Sequence, residues 1–153
     1  MEGIIQFLLS KDPYATKLLN LYIFKIIPML NPDGVIIGNF RCSASGADLN
    51  RRWILPDQFL HTQIFYLKNY IKKIISEGKN IIVFCDLHSH SKDLNSFIYG
   101  CNKAAEGSFC TWTKVQLLPR IIAKNTHLFS LKNCLFRVEP SKVNFIRKKL
   151  QEL

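Results

Sequence analysis

At 153 residues, 48% of them hydrophobic and 12% aromatic, the chain is long enough for one domain with a packed core, and its composition excludes a disordered segment. Lys and Arg number 21 against 11 Asp and Glu, a net charge of +10. That balance excludes an acidic protein and points to acidic partners (nucleic acid, an anionic membrane surface or an acidic peptide), or else to a solvated basic surface.

In chain order, Gly3 to Leu9 and Tyr14 to Leu21 place apolar residues at helical spacing, and Pro13 suits the first turn of the second helix. Met1-Glu2-Gly3 begins with an acid and the apolar stretch after it is short, so no signal peptide is expected. Tyr22 to Pro28, rich in β-branched and aromatic residues, reads as a strand. Asn31-Pro32-Asp33-Gly34 reads as a turn. Pro56 to Ser76 is the clearest helix: Leu60, Ile64, Leu67, Ile71, Ile74 and Ile75 recur at three- and four-residue steps, Lys68, Lys72 and Lys73 fall on other faces, and Gly78 stops it. Asn80 to Leu87, apolar on both faces, reads as a buried strand with Cys85 as a small buried hydrophobe. A short strand at Phe97 to Gly100, a helix at Val115 to Leu128, a strand at Cys134 to Glu139 and a basic helix at Ser141 to Leu153 complete the expectation. Strand, long helix and strand make a crossover unit, so the fold class is α/β. No apolar run reaches the ~20 residues of a membrane span. The five cysteines form no Cys-x-x-Cys, which argues against a zinc ribbon or a dithiol motif and fits a reducing, cytoplasmic compartment.

Ligand sites in open α/β sheets lie beyond the carboxyl ends of strands. His88 follows the apolar run directly. There it suits a zinc ligand oriented by Asp86 or a carbonyl, though its spacing alone favours a satisfied structural or surface histidine. His90 shares its side only where the chain stays extended. Arg41, Arg51 and Arg52 lie among Gly, Ser and Asn. Loop arginines suit carboxylate binding or oxyanion stabilisation, and they suit plain solvation as well.

The ordered strings Asn31-Pro32-Asp33-Gly34, Arg41-Cys42-Ser43, Gly46-Ala47-Asp48-Leu49-Asn50-Arg51-Arg52-Trp53 and Asp86-Leu87-His88-Ser89-His90-Ser91 resemble the cytosolic carboxypeptidases, zinc metallocarboxypeptidases of the carboxypeptidase A-like superfamily. Phe97 to Cys101 and Phe136 to Lys142 also resemble family segments, so the resemblance runs from about Gly3 to Lys142. It implies one incomplete catalytic domain over 1–153, part of an α/β/α sandwich with a mixed, largely parallel central sheet, and a basic tail at 143–153 that departs from the pattern. It implies that His88 is a ligand of Zn2+, that Arg41 stabilises the oxyanion, and that Asn50 and Arg51 hold the substrate's terminal carboxylate, with Ser89 and His90 bordering the substrate. The implied partners are acidic or polyglutamylated protein C-termini such as tubulin tails, with no membrane partner. Nucleic-acid binding through Arg120, Lys124, Lys132 and Arg147-Lys148-Lys149 is less favoured, because no recognition motif accompanies these residues.

The chain departs from the family at both ends. No His-x-x-Glu pair occurs: His61, His88, His90 and His127 are followed three residues on by Ile64, Ser91, Asp93 and Ser130. The resemblance puts that pair ahead of the first helix and a general-base glutamate after Lys142. The expectation is therefore a truncated or inactive metallocarboxypeptidase, with a non-catalytic binder of acidic C-terminal peptides as the alternative. Uncovered apolar strand surface is expected to make the chain associate.

Overall fold

A computed structural model describes residues 1–91, 93–100 and 109–136, for 109–112 the backbone alone. The chain forms two units, Met1–Ala47 and Asp48–Leu153.

In the first unit, helices α1 (Glu2–Leu8) and α2 (Pro13–Leu21) pack on each other, and Leu8 and Ala15 are their buried residues. Asp12 caps α2 by accepting the Tyr14 N–H at 2.7 Å, and Pro13 occupies the position where a missing N–H costs nothing. Asn31 to Gly34, expected as a turn, instead opens a third helix, α3 (Pro32–Ile37). The Asn31 side chain accepts the Gly34 N–H at 3.2 Å, and Gly38 at φ 82° ends the helix. A type I turn and a first helical turn share backbone angles, so the same residues serve both; continuation through Val35, Ile36 and Ile37 decides. The strand expected at 22–28 is not formed among the described residues. Tyr22 is extended (φ −135°, ψ 149°), but no ladder partner meets the segment, and Ile23 is 71% exposed. Extended backbone becomes a strand only when a neighbour satisfies its N–H and C=O groups.

In the second unit, a 3₁₀ turn spans Leu49–Arg51, and α4 spans Thr62–Ser76. The long helix starts six residues later than its apolar pattern suggests, because Asp57 builds a separate turn. Its Oδ1 accepts the N–H groups of Phe59 and Leu60, each at 2.8 Å, while His61 Nδ1 accepts the Asp57 N–H at 3.0 Å. The hydrogen bonds from Leu60 and then Phe59, with His61 nearby, hold the Asp57 carboxyl below its ordinary pKa. A folded-state pKa below the unfolded one gives stability that is present above the ordinary Asp value of about 4 and is lost as pH falls through the depressed one. Asp57→Asn is therefore expected to flatten the acid limb of the stability–pH curve, read by urea melts across that window. Parallel curves for the two proteins would exclude the turn as a contributor.

Helix α4 buries Ile64, Ile71 and, against expectation, Lys68. Gly78 at φ 74° terminates it, with the Gly78 and Lys79 amides donating back to Ile75 and Ile74. Residues 80–87 form no strand ladder among the described residues; Ile82 is 69% exposed, and Cys85, expected buried, is exposed. Parallel pairing does occur further on, where isolated bridges join Ser96 to Phe129 and Tyr99 to Leu135. Their hydrogen bonds are Ser96 N to Leu128 O (2.9 Å), Ser130 N to Ser96 O (2.8 Å), Gly100 N to Leu135 O (2.9 Å) and Leu135 N to Ile98 O (3.1 Å). Helix α5 (Phe109–Asn125) lies in the connection between the paired runs, as parallel pairing requires. It begins earlier than expected and carries Pro119, fully buried, in its interior. Gly100 has no room for a side chain: an added Cβ would stand 2.8 Å from Val115 Cγ1 and 2.9 Å from Phe136 Cδ1. A second 3₁₀ turn covers Leu131–Asn133. The strand expected at Cys134 to Glu139 is represented by Leu135, its last three residues and the basic helix at 141–153 lying outside the described residues. No described helix is long and apolar enough to cross a membrane.

Candidate functional site

The site is anchored on a short, tightly capped turn. Asp48 accepts the Asn50 N–H at 3.0 Å and so bends Leu49–Arg51 into its 3₁₀ turn. Leu49 and Trp53 on either side are 4% and 3% exposed, and these buried anchors leave Arg51 and Arg52 at the surface. The Trp53 ring meets the Phe84 ring edge-on, with centroids 6.1 Å apart, which ties the turn to the apolar run that leads to His88. From Trp53, Nε1–H donates to Asn50 Oδ1 at 3.2 Å. Asn50 Nδ2 in turn lies 3.5 Å from His88 Nε2. The fold thus brings together two predicted site residues that stand 38 positions apart in sequence.

His88 Nε2 has two neighbours with opposite demands. Asp86 Oδ2, at 3.0 Å, can only accept from it, whereas the Asn50 amide nitrogen can only donate. The carboxylate is closer and the 3.5 Å contact is long for a hydrogen bond, so Asp86 selects the Nε2–H tautomer. Asp86 was expected as an orienting partner, and it does contact the imidazole. Ser89 is exposed beside it. His90 is turned into a small aromatic cluster, edge-on to Phe97 at 5.1 Å and Tyr99 at 6.4 Å, and its Nδ1 accepts the Asp93 N–H at 3.1 Å. That is the environment of a histidine holding its own loop.

Arg41 belongs to the Met1–Ala47 unit. Its guanidinium lies over the Phe40 ring, 4.9 Å from the centroid, on an exposed segment. Asn31 fastens that segment: while its Oδ1 caps α3, its Nδ2 donates to Cys42 O at 3.1 Å. Gly34 is required here, since a Cβ would stand 2.5 Å from Cys42 O and collide with the Asn31 amide.

A catalytic zinc site needs three protein ligands and an open position. Among the described residues, no three His, Cys, Asp or Glu side chains are grouped so as to hold a metal ion. His88 and Asp86 are a pair, and no third donor is grouped with them among the described residues. The described donor set does not fit zinc.

Two contributors escaped the sequence reading. Trp53 was noted only as the end of a motif. Lys68, expected off the apolar stripe, is 8% exposed, and its Nζ donates to Trp53 O at 3.0 Å and Ile54 O at 2.9 Å. The signal was present: Lys68 is four residues after Ile64 and three before Ile71, on the buried stripe itself.

The zinc carboxypeptidase family profile matches residues 1–130. Among curated proteins, the chain is similar to cytosolic carboxypeptidase 4 of Homo sapiens, 42% identical over 157 residues, which covers 96% of this chain and 14% of that protein. Cytosolic carboxypeptidase 1 of Danio rerio is 43% identical over 152 residues (93% of this chain, 13% of the relative). Cytosolic carboxypeptidase 2 of Danio rerio is 43% identical over 145 residues (93% and 19%). The chain therefore spans less than a fifth of the length of these relatives.

Proposed function

Since this chain belongs to the zinc carboxypeptidase family, we propose that it is the carboxylate-recognising part of a metallocarboxypeptidase catalytic domain that acts on protein C-termini. The observation that supports this reading is the 3.5 Å approach of the Asn50 amide to His88, the two residues we read as a carboxylate binder and a metal-type imidazole. Family membership implies an α/β fold, and the parallel bridges across α5 are consistent with it. We extend this to a mixed, largely parallel sheet. Zinc, when bound in the family, supplies Lewis-acid activation of water; with the described donor set, no step of this chain is routed through it.

What the residues of the chain do by themselves is bind. Asn50 offers an N–H2 group and Arg51 a planar fork to a terminal carboxylate, and Arg41 offers a cation to a developing oxyanion. The +10 charge favours acidic chain ends, so we propose glutamate-rich C-termini, tubulin tails among them, as the substrate class. The relatives' names carry the word cytosolic, which supports a cytoplasmic setting. For this chain by itself we propose binding without turnover, because its sequence holds no His-x-x-Glu pair.

The test is calorimetry with a peptide ending in three glutamates, its C-terminal amide, and an alanine-ended control. The free carboxylate is expected to bind at least about tenfold more tightly than the amide. Arg51→Ala is expected to abolish that difference, since hydrogen bonds to a charged group are worth about 1.5–3 kcal/mol. Equal affinity for acid and amide would sink the carboxylate-clamp reading. Release of free glutamate on incubation with zinc would sink the binding-only clause.

A further inference from the structure

Lys68 is a buried ammonium that the proposed chemistry does not use. It rises from the apolar stripe of α4 between Ile64 and Ile71, and its Nζ lies within hydrogen-bond distance of two consecutive main-chain carbonyls, Trp53 O and Ile54 O. Burying a charge is costly, and an apolar side chain of the same volume would pack there at no desolvation cost. Such a group is therefore better understood through what it positions. A cation bonded to two successive carbonyls fixes the backbone just after the Leu49–Arg51 turn, at a set height above α4.

The consequence passes through Trp53. With its backbone held and its ring set against Phe84, the indole N–H points at Asn50 Oδ1. Indole nitrogen donates and never accepts, so it decides which end of the Asn50 amide faces it. The oxygen must turn toward Trp53, and the N–H2 group is left facing His88 and the side on which a ligand carboxylate would lie. With the amide reversed, the oxygen would repel that carboxylate.

We propose that Lys68 is a positioning residue for the carboxylate clamp, acting through Trp53 to set the amide orientation of Asn50; the proposal rests on the clamp reading of Asn50 and Arg51 given above. Lys68 touches no ligand in this scheme. Its effect lies in the geometry of the group that does.

The experiment uses the full 153-residue chain as wild type, Lys68→Met and Lys68→Arg. Nitrogen-15 NMR reads the Trp53 indole N–H, assigned by its loss in Trp53→Phe, and the Asn50 side-chain amide; calorimetry reads affinity for the glutamate-ended peptide. Lys68→Met is expected to shift the indole resonance upfield, speed its exchange with water, and weaken peptide binding about tenfold. Lys68→Arg, which keeps a donor pair for the two carbonyls, is expected to recover most of that affinity. A folded Lys68→Met with unchanged indole and amide signals and unchanged affinity overturns the proposal. Should Lys68→Met not fold, Trp53→Phe decides: it keeps an aromatic ring at the site and removes the N–H, so unmoved Asn50 amide signals would overturn the proposal. If the wild type binds no peptide, the clamp reading fails separately. The unliganded NMR response of Asn50 to Lys68→Met still decides whether Lys68 sets its orientation.

Discussion

Trp53→Ala is expected to destabilise the chain by about 3–5 kcal/mol, the range for emptying a buried large aromatic site. Two effects compete to set that figure. The Trp53 indole N–H donates to Asn50, a hydrogen bond worth about 1 kcal/mol net. It also fills a site where it is 3% exposed and stacked edge-on against Phe84, so truncation opens a cavity between the clamp turn and the run leading to His88. The cavity dominates, which makes Trp53→Phe the informative companion. It keeps most of the packing and loses the N–H, and it is expected to cost about 1–2 kcal/mol. Urea unfolding followed by circular dichroism measures both. A Trp53→Ala loss below about 1 kcal/mol would mean that the indole is not the keystone of this turn. The carbonyl bound by Lys68 is main chain and survives both substitutions, so the lysine's contribution is measured independently.

The 153-residue chain is also expected to associate at micromolar concentration, and lysine substitutions within its apolar runs are expected to return it to monomer. Ile23 and Ile27 are 71% and 44% exposed in the first unit, and Ile82, Val83 and Leu87 are 69%, 61% and 54% exposed in the second. Both runs combine β-branched side chains with backbone N–H and C=O groups that no described strand pairs. Monomeric proteins rarely leave such contiguous apolar surface in water, and extended segments outside a sheet pair with other chains. The net charge of +10 opposes association, but long-range repulsion is screened beyond about 8 Å at physiological salt, whereas the apolar contact is not. Sedimentation velocity should therefore show oligomers for the wild type and a shift toward monomer for Ile23→Lys with Ile82→Lys. A single monomeric wild-type species would show that the exposed runs are tolerated.

Interactions among near neighbours in the chain could be read directly. Pro13 and Asp12 start α2, Gly78 ends α4, and the three- and four-residue recurrence of Ile64 and Ile71 names the face that α4 buries. Each of these rests on hydrogen bonds or steric rules spanning a few residues, so composition and spacing suffice. The ordered motifs offered Arg41, Asn50, Arg51 and His88 as candidates through their resemblance to a family, and of these the fold brings Asn50 and His88 together. The failures share one cause. Residues 22–28 and 80–87 carry every local mark of strands, yet a strand is completed only by a second chain segment. Lys68 has a solvent-seeking side chain, and hydrogen bonds to two carbonyls 14 and 15 residues away help make its burial tolerable. The meeting of Asn50 with His88 spans 38 residues. Capping and helical period were therefore determined by the sequence alone; which groups lose water, and which distant partners repay that loss, was decided only by the tertiary structure, because desolvation depends on what the folded chain places alongside.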